Sequence, residues 1–500
     1  MELEGNFFFN NGSILISPWT IYKLNGSPIQ GELDLMKVQL IFPNINQGLI
    51  AKNVIHPPLG LGYLAAVLLE HGHQVEVIDA AALCLPLDGI LTKIKTFKPD
   101  LIGITTNITT ARMAINTSKY IKHGGIDVPV VFGGPWATIE RENILETGLA
   151  DIIVMGEGEK TIMEIASRMN AGKSLIGVKG MSWRDDSGIL HGNPARPHIK
   201  NLDDLPFPAW NLFPDSKKYP YNNRHFPYYP VMTSRGCPFN CIYCTKVVHG
   251  NKIRYRSVDN VLEEIVHLKR NFHIKELIIA DDNFTQDPDR AEQIFDEIIA
   301  NNLDIKILFS NGIRADIYSE RLVAKMKRAG VYRVFLGIES GNQSIVNEIK
   351  KGLDLGKIHD FVKLLKEYRI DHYGYFMLGL PNDTYGTMMD TINYAIKLNL
   401  KPHFHKTIAF PGTRLFEITK DHLIGEGGAR RYSYRRSGAT FEMYKGQARD
   451  LAKALGLGYL RYFFRLKAIA QVLRDTRSLN DLRWLFNGAL HIVDMVMNRA

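Results

Sequence analysis

Short apolar runs alternate with amphipathic stretches through most of the 500-residue chain. Stretches such as Leu61–Glu70 and Thr110–Lys122 have helical spacing. Between such stretches in residues 37–170 lie five runs with the length and composition of buried parallel strands: Val38–Phe42, Gln74–Ile78, Leu101–Thr105, Val128–Phe132 and Ile152–Met155. This alternation predicts an α/β fold with a doubly wound, Rossmann-like first domain.

A second series of strand and helix patterns fills residues 227–415. Its strands are expected near Tyr229–Thr233, Leu277–Ala280, Ile305–Phe309, Val334–Ile338, Tyr373–Leu378 and His405–Ala409. About six parallel strands with intervening helices predict a partial (β/α) barrel, whose chemistry lies at the carboxyl ends of the strands. Residues 171–226 are predicted to be a linker with a hairpin at Ser182–Leu190, and its apolar side chains are expected to pin the two domains together: Phe207, Trp210 and Phe213.

The two ends of the chain differ from its body. Residues 1–36 match no clear element, and Met36 opens the first strand pattern, so an alternative translation start at Met36 and an ordered extension both stay open. Residues 416–500 are predicted to be a helical basic region. From Lys420 to the end there are 15 basic and 7 acidic residues, whereas the rest of the chain holds 46 and 45. The net charge of +9 therefore belongs to the tail.

Composition narrows the class of protein. With 45% apolar and 23% charged residues the chain resembles ordinary globular proteins. No apolar run has the roughly 18 residues that a membrane-spanning helix needs. The opening Met-Glu-Leu-Glu lacks the basic start of a secretory signal, and four cysteines, three of them clustered, are typical of a reducing cytoplasm. We expect a cytoplasmic protein that does not bind nucleic acid, since no recognisable binding module accompanies the basic tail.

Three of the four cysteines lie within eight residues, in the pattern C-x3-C-x2-C formed by Cys237, Cys241 and Cys244. Thiolates this close on one loop converge on a soft metal centre. Three ligands leave one position of an iron–sulfur cluster open, which favours chemistry over structural support. A disulfide is disfavoured because three thiols cannot all pair and Cys84 is remote. A Cys3His zinc site that includes His249 stays open as an alternative.

The cysteine motif, with Tyr243 before its last cysteine, resembles the signature of the radical S-adenosylmethionine enzymes. Four further stretches resemble later motifs of that family, in the same order: Glu276–Thr285, Val334–Gly341, Gly374–Pro381 and Phe410–Leu415. The resemblance implies a [4Fe–4S] cluster on the three cysteines and S-adenosylmethionine (SAM) on the open iron. One electron then cleaves the sulfonium, and the resulting 5′-deoxyadenosyl radical removes hydrogen from an unactivated carbon.

The same resemblance assigns residues to the bound SAM. Acceptors for its ammonium group are expected at Asp281, Asp282 and Asn283, at the end of a predicted strand. Arg314 is the candidate partner of its carboxylate, with an ion pair to Asp316 as the alternative. The ribose hydroxyls are assigned to Glu339, next to Ser340, and Tyr243 completes the set.

The first domain resembles the cobalamin-binding domain that precedes many radical SAM cores. The matching stretches are Pro57–Leu64, Gly72–Asp79, Gly133–Thr138 and Gly156–Glu159. No Asp-x-His-x-x-Gly motif follows the first strand, so any bound cobalamin is expected to lack a protein histidine on its cobalt. The expected cobalamin contacts lie at or near strand ends: Leu59, Gly60, Thr105, Gly133, Gly134, Gly156 and Glu157.

Together these features predict a cobalamin-dependent radical SAM methyltransferase that acts on a hydrophobic small molecule such as a lipid or pigment. A ferredoxin or flavodoxin is the expected electron donor. Alternatives are an oxidative cyclase, a radical SAM enzyme without cobalamin, and a non-enzymatic iron–sulfur or cobalamin sensor. Methylthiolation is disfavoured, since Cys84 is alone in the first domain. Peripheral membrane contact through the tail stays open, against a tail helix docked on the barrel.

Overall fold

The computed structural model describes residues 35–45, 55–185, 187–219, 223–425, 439–475 and 482. Within them the chain forms two large sheets, one in each half. Residues 1–34 of the predicted N-terminal extension lie outside this range, as do residues 426–438, 476–481 and 483–500 of the predicted helical basic region.

The first sheet has seven strands in the order β2–β1–β3–β4–β5–β6–β7, and β1 to β5 run parallel. These five strands are β1 (Lys37–Phe42), β2 (Gln74–Asp79), β3 (Leu101–Thr105), β4 (Val130–Gly133) and β5 (Ile152–Val154). The chain passes from β1 to β2 on one side and then returns to β3 on the other side of β1. The strand order therefore reverses between β1 and β3. In open α/β sheets, ligands bind beside the carboxyl ends of the strands at such a reversal.

The predicted hairpin forms, but it belongs to the first sheet rather than to a free linker. Strand β6 (Met181–Arg184) pairs antiparallel with β5, and β7 (Leu190–Gly192) pairs antiparallel with β6. In the parallel part of the sheet, the N–H and C=O groups on the outer edge of β5 have no partner strand. The hairpin supplies one, because β6 pairs with this edge.

Helices cover both faces of this sheet. They are α1 (Leu59–Glu70), α2 (Ala80–Leu83), α3 (Leu87–Phe97), α4 (Ala111–His123), α5 (Pro135–Ile139), α6 (Arg141–Glu146) and α7 (Glu159–Asn170). Helix α1 starts behind two prolines, is buried along most of its length, and is followed two residues after Glu70 by Gly72, whose φ is +85°. Burial on all sides of α1 places it between the two halves of the protein.

The second sheet has six parallel strands in simple chain order: β8 (Tyr228–Val231), β11 (Glu276–Ile279), β12 (Lys306–Ile313), β13 (Val331–Glu339), β14 (Asp371–Leu378) and β15 (Lys401–Lys406). A small antiparallel pair, β9 (Ser234–Arg235) and β10 (Arg254–Tyr255), lies beside it. Sequential parallel neighbours joined by helices form the predicted partial barrel. The helices are α8 (Val258–Phe272), α9 (Pro288–Ala300), α10 (Glu320–Arg328), α11 (Gln343–Glu348), α12 (Leu355–Glu367) and α13 (Tyr385–Leu398).

The last strand lies earlier than the sequence predicted. It spans Lys401–Lys406 instead of His405–Ala409. The strand alternates between one buried and one half-open face, so His403 and His405 interrupt the apolar run that marks a fully buried strand. The apolar residues Ile408 and Ala409 are buried in the loop that follows.

The described part of the C-terminal region docks on the barrel. It contains α14 (Arg414–Thr419), α15 (Gln447–Phe463) and α16 (Leu466–Asp475), and α15 packs against α13 and β15. The Tyr459 hydroxyl bonds both the N–H and the C=O of Phe404. Arg465 donates to Ile396 O and to the Asn399 side chain, so it caps the end of α13 instead of facing water. None of the described helices is long and apolar enough to span a bilayer.

At the amino end of the barrel, the carboxyl group of Glu276 is fully buried. It accepts hydrogen bonds from Arg224 N, His225 N and the Tyr332 hydroxyl, at 3.0, 2.8 and 2.9 Å. Burial raises the pKa of Glu276 to about 7, despite these donors. In the unfolded chain this carboxyl ionises near its ordinary pKa of 4.5. Between pH 4.5 and 7 the folded protein therefore keeps a proton that the unfolded chain has lost, and the free energy of unfolding falls as the pH rises through this range.

We therefore expect Glu276→Gln to gain stability relative to the natural protein as the pH is raised from 4.5 to 7. The relative gain should reach about 3 kcal/mol, since each unit of pKa corresponds to about 1.4 kcal/mol. Urea unfolding of both proteins at a series of pH values measures this difference. A difference that stays constant with pH would show that Glu276 titrates normally.

Candidate active site

The cysteine loop starts directly after β9, near the carboxyl end of β8. Gly236 makes the entry turn with φ of +91°, and a Cβ atom there would lie 2.6 Å from Lys252 O, so only glycine fits. The loop is then fixed to the barrel. Ile242 N donates to Ile349 O at 3.0 Å, and Leu415 N donates to Ile242 O at 2.7 Å.

The three thiols of the loop fit a multi-atom metal centre. All are free, and desolvation raises the pKa of both Cys237 and Cys244, with further increases from neighbouring cysteines and from Asp282. Such thiols stay protonated unless a cation stabilises the thiolate, which a cluster of iron ions would do. Among the described residues, no three His, Cys, Asp or Glu side chains lie close enough to bind one metal ion.

His249, the fourth ligand of the alternative zinc site, is engaged elsewhere. Its Nδ1 lies 3.2 Å from Glu157 Oε1 of the first domain. This contact joins the two domains, so His249 binds Glu157 of the first domain and does not act as a fourth ligand beside the cysteines.

Asp281 serves the loop rather than open space. Its Oδ1 accepts from Thr233 N, and its Oδ2 accepts from the hydroxyls of Thr233 and Ser234, all at 2.6 Å. The residue is 2% exposed. Because three donors from the strand end before the cysteines occupy its oxygens, the predicted role of Asp281 as an acceptor for the SAM ammonium group is not supported. It anchors the base of the cysteine loop.

The two neighbours of Asp281 remain candidates for the SAM site. Asp282 is exposed and close enough to the thiols to raise the pKa of Cys237 and Cys244. Asn283 is buried, and its amide donates to Gln286 Oε1 while its Oδ1 has no hydrogen-bond partner. A buried acceptor without a donor is costly, so Asn283 is suited to a donor group on a ligand.

Four of the five N–H donors of Arg314 are already engaged. It forms a two-point ion pair with Asp316, at 2.9 and 2.6 Å, and donates to the carbonyls of Lys351 and Gly352. Its guanidinium also lies 3.8 Å from the centre of the Phe239 ring in the cysteine loop. The predicted contact with the SAM carboxylate is therefore not supported, and the alternative ion pair with Asp316 forms instead. Arg314 braces the loop against the barrel.

Glu339 ends β13 at the rim of the barrel and is largely buried. Its φ of +70° is unusual for a side chain with a Cβ, and such strain is concentrated at functional sites. Its Oε1 lies 2.9 Å from Lys351 Nζ. Ser340, by contrast, is fully buried and hydrogen-bonds Thr391 of α13, so it supports the turn and does not face the site.

Lys351 is a site residue that the sequence did not predict. Its Nζ bridges Glu339 and the hydroxyl of Tyr243, at 2.9 and 3.1 Å, and so ties β13 to the cysteine motif. Burial is the largest single influence and would lower the pKa of this lysine, but Glu339 and Cys241 together outweigh it and the net change is upward. In the sequence Lys351 follows another lysine after a short helix, which gives no signal of a buried role.

A cavity of about 240 Å³ lies at the carboxyl edge of the first sheet, where the strand order reverses. All seven residues predicted to contact cobalamin line it: Leu59, Gly60, Thr105, Gly133, Gly134, Gly156 and Glu157. The opposite wall comes from the cysteine-loop region of the barrel: Met232, Arg235, Val248 and His249. Its mainly apolar lining suits an organic cofactor. The cavity therefore opens between the cobalamin-type domain and the cluster loop.

Buried charges hold these two walls together. Arg235 pairs with Glu157 at 3.2 Å and with Glu159 at 2.6 Å, and Arg254 pairs with Glu157 at 2.8 Å. Burial opposes ionisation of Glu157, but His249, Arg254 and Arg235 outweigh it and hold the pKa of Glu157 well below its usual range. The carboxylate predicted to touch cobalamin thus forms a domain contact within the cavity wall. Arg235, two residues before Cys237, is a second residue that the sequence did not single out.

Two family models match the chain. The model of the radical SAM superfamily matches residues 231–395, and that of the B12-binding domain matches residues 50–166. An uncharacterized methyltransferase of Pyrococcus horikoshii is 33% identical over 87% of this chain and 94% of its own length. The chain therefore belongs to the radical SAM superfamily, among the members with a B12-binding domain.

Other relatives point to more than one reaction. Cytidylyl-2-hydroxyethylphosphonate methyltransferase of Streptomyces wedmorensis is 30% identical over 65% of this chain and 69% of its own length. Anaerobic magnesium-protoporphyrin IX monomethyl ester cyclase of Rubrivivax gelatinosus is 29% identical over 72% of this chain and 65% of its own length.

A solved structure has the same fold. The cobalamin-dependent SAM radical enzyme OxsB, with aqua-cobalamin and SAM bound, aligns with a TM-score of 0.71. The alignment covers 93% of this chain and 72% of OxsB at 17% identity. Family and fold together give the cofactors as a [4Fe–4S] cluster, SAM and cobalamin. The protein is thus an enzyme that uses a reductant and acts on a small molecule.

The different surroundings of Asp281 and Asp282 predict different effects of substitution. Asp281→Ala should leave three buried donors unpaired, lower the free energy of unfolding by about 3 kcal/mol and reduce iron incorporation. Asp282→Ala should change stability by less than about 0.5 kcal/mol but weaken SAM binding about tenfold or more, if its carboxylate receives the ammonium group. Urea unfolding, iron content and equilibrium dialysis with SAM distinguish the two. Equal effects of both variants on SAM affinity, without loss of stability in Asp281→Ala, would overturn this assignment.

Proposed function

We propose that this protein is a cobalamin-dependent radical SAM methyltransferase that methylates an unactivated carbon of a hydrophobic small molecule. The observation that carries the proposal is the shared cavity. One wall holds the seven residues expected at cobalamin, and the other belongs to the segment that carries the cluster cysteines. A cofactor in this cavity would lie beside the SAM site, as transfer of a methyl group to a substrate radical requires.

Each part of the chain has a physical task in this reaction. When bound, the cluster with SAM supplies radical chemistry, and cobalamin supplies a methyl carrier. The cysteine loop holds the cluster, and Asp281 and Arg314 fix the loop from opposite sides. Glu339 and Asp282 present carboxylates at the rim, where the ribose hydroxyls and ammonium group of SAM need acceptors. The buried charges around Glu157 keep the two cofactor sites in register.

Gly60 offers a way to block the cavity without straining the backbone. It is the second residue of α1, lines the cavity, and has no atom within 4 Å of where a Cβ would lie. Gly386 is the second residue of α13, is exposed and lies outside the cavity. Gly60→Trp and Gly386→Trp are therefore a matched pair, in which only the first fills the cofactor space.

The test uses enzyme reconstituted anaerobically with iron, sulfide and cobalamin, then given reductant and SAM. The natural protein and Gly386→Trp should form both S-adenosylhomocysteine, which reports loss of the methyl group, and 5′-deoxyadenosine, which reports radical formation. Gly60→Trp should fail to bind cobalamin and form only 5′-deoxyadenosine. If the natural protein binds cobalamin but forms no S-adenosylhomocysteine, methylation is wrong, and ring formation, as the name of the Rubrivivax gelatinosus relative states, becomes the better function.

A further inference from the structure

A second cavity, of about 260 Å³, lies at the amino end of the barrel. Its walls come from the starts of β12 and β13, the end of α10 and the segment before β8. We define the basic cavity by five of its lining residues: Arg224, His225, Lys306, Lys327 and Tyr332. Strand β12 runs for eight residues between this end of the barrel and the rim. At about 3.3 Å per residue, the basic cavity lies more than about 20 Å from the candidate active site.

Lys306 is the central charge of this cavity. It is exposed at the start of β12, and no carboxylate among the described residues forms an ion pair with it. Burial and then Lys306 lower the pKa of His225, and burial followed by Lys306 also lowers the pKa of Lys327. Lys327 donates to a backbone carbonyl, that of Arg369, at 3.1 Å, and no described carboxylate pairs with it either. Three basic side chains therefore lie close together around one space.

The third cation of the cavity, Arg224, is only partly neutralised. It lies 3.8 Å from Asp371. The same carboxylate also binds Arg333 and Lys401, at the shorter distances of 3.0 and 2.6 Å. One negative charge is thus shared among three cations, and the basic cavity keeps an excess of positive charge.

The walls of the basic cavity are held in place by the buried carboxyl group of Glu276. This group accepts from the backbone N–H groups of Arg224 and His225 and from the Tyr332 hydroxyl, so it fixes three of the five residues. Because burial raises the pKa of Glu276 to about 7, it contributes less than a full negative charge at neutral pH. The rings of His225 and Tyr332 meet edge-on at 5.8 Å beside the cations. Walls that are ordered in advance reduce the cost of binding a ligand.

We propose that the basic cavity binds a phosphate group, either free phosphate or the phosphoryl group of a small organic molecule. A phosphate group carries up to two negative charges near neutral pH and accepts hydrogen bonds on three oxygens, which matches the donors of Lys306, Lys327 and Arg224. A nucleic acid would need cations spread along a surface, whereas these are gathered around one cavity. The inference does not rest on the proposed function, because the cavity lies at the end of the barrel opposite the cysteine loop.

The test is isothermal titration calorimetry with inorganic phosphate at constant ionic strength. The anaerobic holoenzyme is loaded with cluster, cobalamin and SAM, so that the ligand-binding groups of the active site are occupied. Phosphate should bind saturably and about tenfold or more tightly than acetate, which carries a single charge. Lys306→Gln should weaken phosphate binding about tenfold, since it removes a charge-assisted hydrogen bond. Phosphate that fails to saturate the protein, or binds no better than acetate, would overturn the inference.

Lys327→Gln and Lys366→Gln are a matched pair of variants. Lys366 lies in the last turn of α12, as Lys327 lies in that of α10, and both are exposed. Each donates to a backbone carbonyl, at 2.8 and 3.1 Å, but only Lys327 lines the basic cavity. Lys327→Gln should weaken phosphate binding about tenfold, and Lys366→Gln should leave it unchanged. Equal losses in the two variants would show a general effect of net charge and contradict a defined site.

Two competitors identify the kind of ligand. Phenyl phosphate that displaces inorganic phosphate at lower concentration than phosphate itself supports an organic phosphate, whose ring would contact His225 and Tyr332. The reverse order supports free phosphate. A short single-stranded RNA that binds more tightly than either, and that loses affinity equally in Lys327→Gln and Lys366→Gln, would show a basic surface for nucleic acid and overturn the inference.

Discussion

Cys241→Ala is expected to abolish cluster assembly and SAM cleavage while leaving cobalamin binding intact. Cys241 lies between the other two cysteines in the loop, and its thiol raises the pKa of both Cys237 and Cys244, which places it next to each of them. Two remaining thiolates cannot hold a cluster that needs at least three. The cavity of the first domain is lined by residues before and after the loop and not by Cys241.

The measurement is iron and cobalamin per chain after anaerobic reconstitution. Iron should fall from about four atoms per chain to near zero, and 5′-deoxyadenosine formation should disappear. Cys84→Ala is the matched control, because Cys84 is a free, exposed thiol at the end of α2 that donates to Ala81 O. It should keep its iron and its activity. SAM cleavage by Cys241→Ala at the natural rate would disprove the cluster assignment.

Arg235→Gln is expected to cause the second large effect, a loss of about 3–5 kcal/mol in the free energy of unfolding, together with release of cobalamin. Arg235 is 4% exposed and binds two buried carboxylates of the other domain. It also lies 5.1 Å from the centre of the Tyr63 ring. Its removal would leave Glu159 buried without a partner, since the other oxygen of Glu159 already has no hydrogen bond.

Urea unfolding and the cobalamin retained after gel filtration measure this effect. Arg321→Gln is the matched control: Arg321 also pairs with two carboxylates, Asp289 and Glu292, but its side chain is 68% exposed, so its loss should cost less than about 1 kcal/mol. Arg235→Lys should recover only part of the stability, because one ammonium group cannot match a planar guanidinium between two acids. Equal losses in Arg235→Gln and Arg321→Gln would show that the domain junction is not held by this charge cluster.

The sequence predicted some parts of the candidate site better than others. Strand ends and glycines in the sequence marked the cysteine loop and seven residues of the first domain, and all seven line the cavity, because parallel strands bring their carboxyl ends to one edge of a sheet. Asp281 and Arg314 have the right chemistry and the right position along the chain. Their side chains nevertheless bind Thr233 and Asp316, and such a choice depends on which partners folding brings within about 3 Å.

Local pattern therefore determined the α/β class, the two series of strands, the metal-binding loop and the edge of each sheet that carries chemistry. These follow from side-chain periodicity and from ligand spacing within one loop. Tertiary structure alone decided that Lys351 joins Glu339 to Tyr243 and that Arg235 joins the cysteine loop to Glu157 and Glu159. Each of these contacts joins residues far apart or on different strands, and no short stretch of sequence encodes which distant side chains will share a buried space.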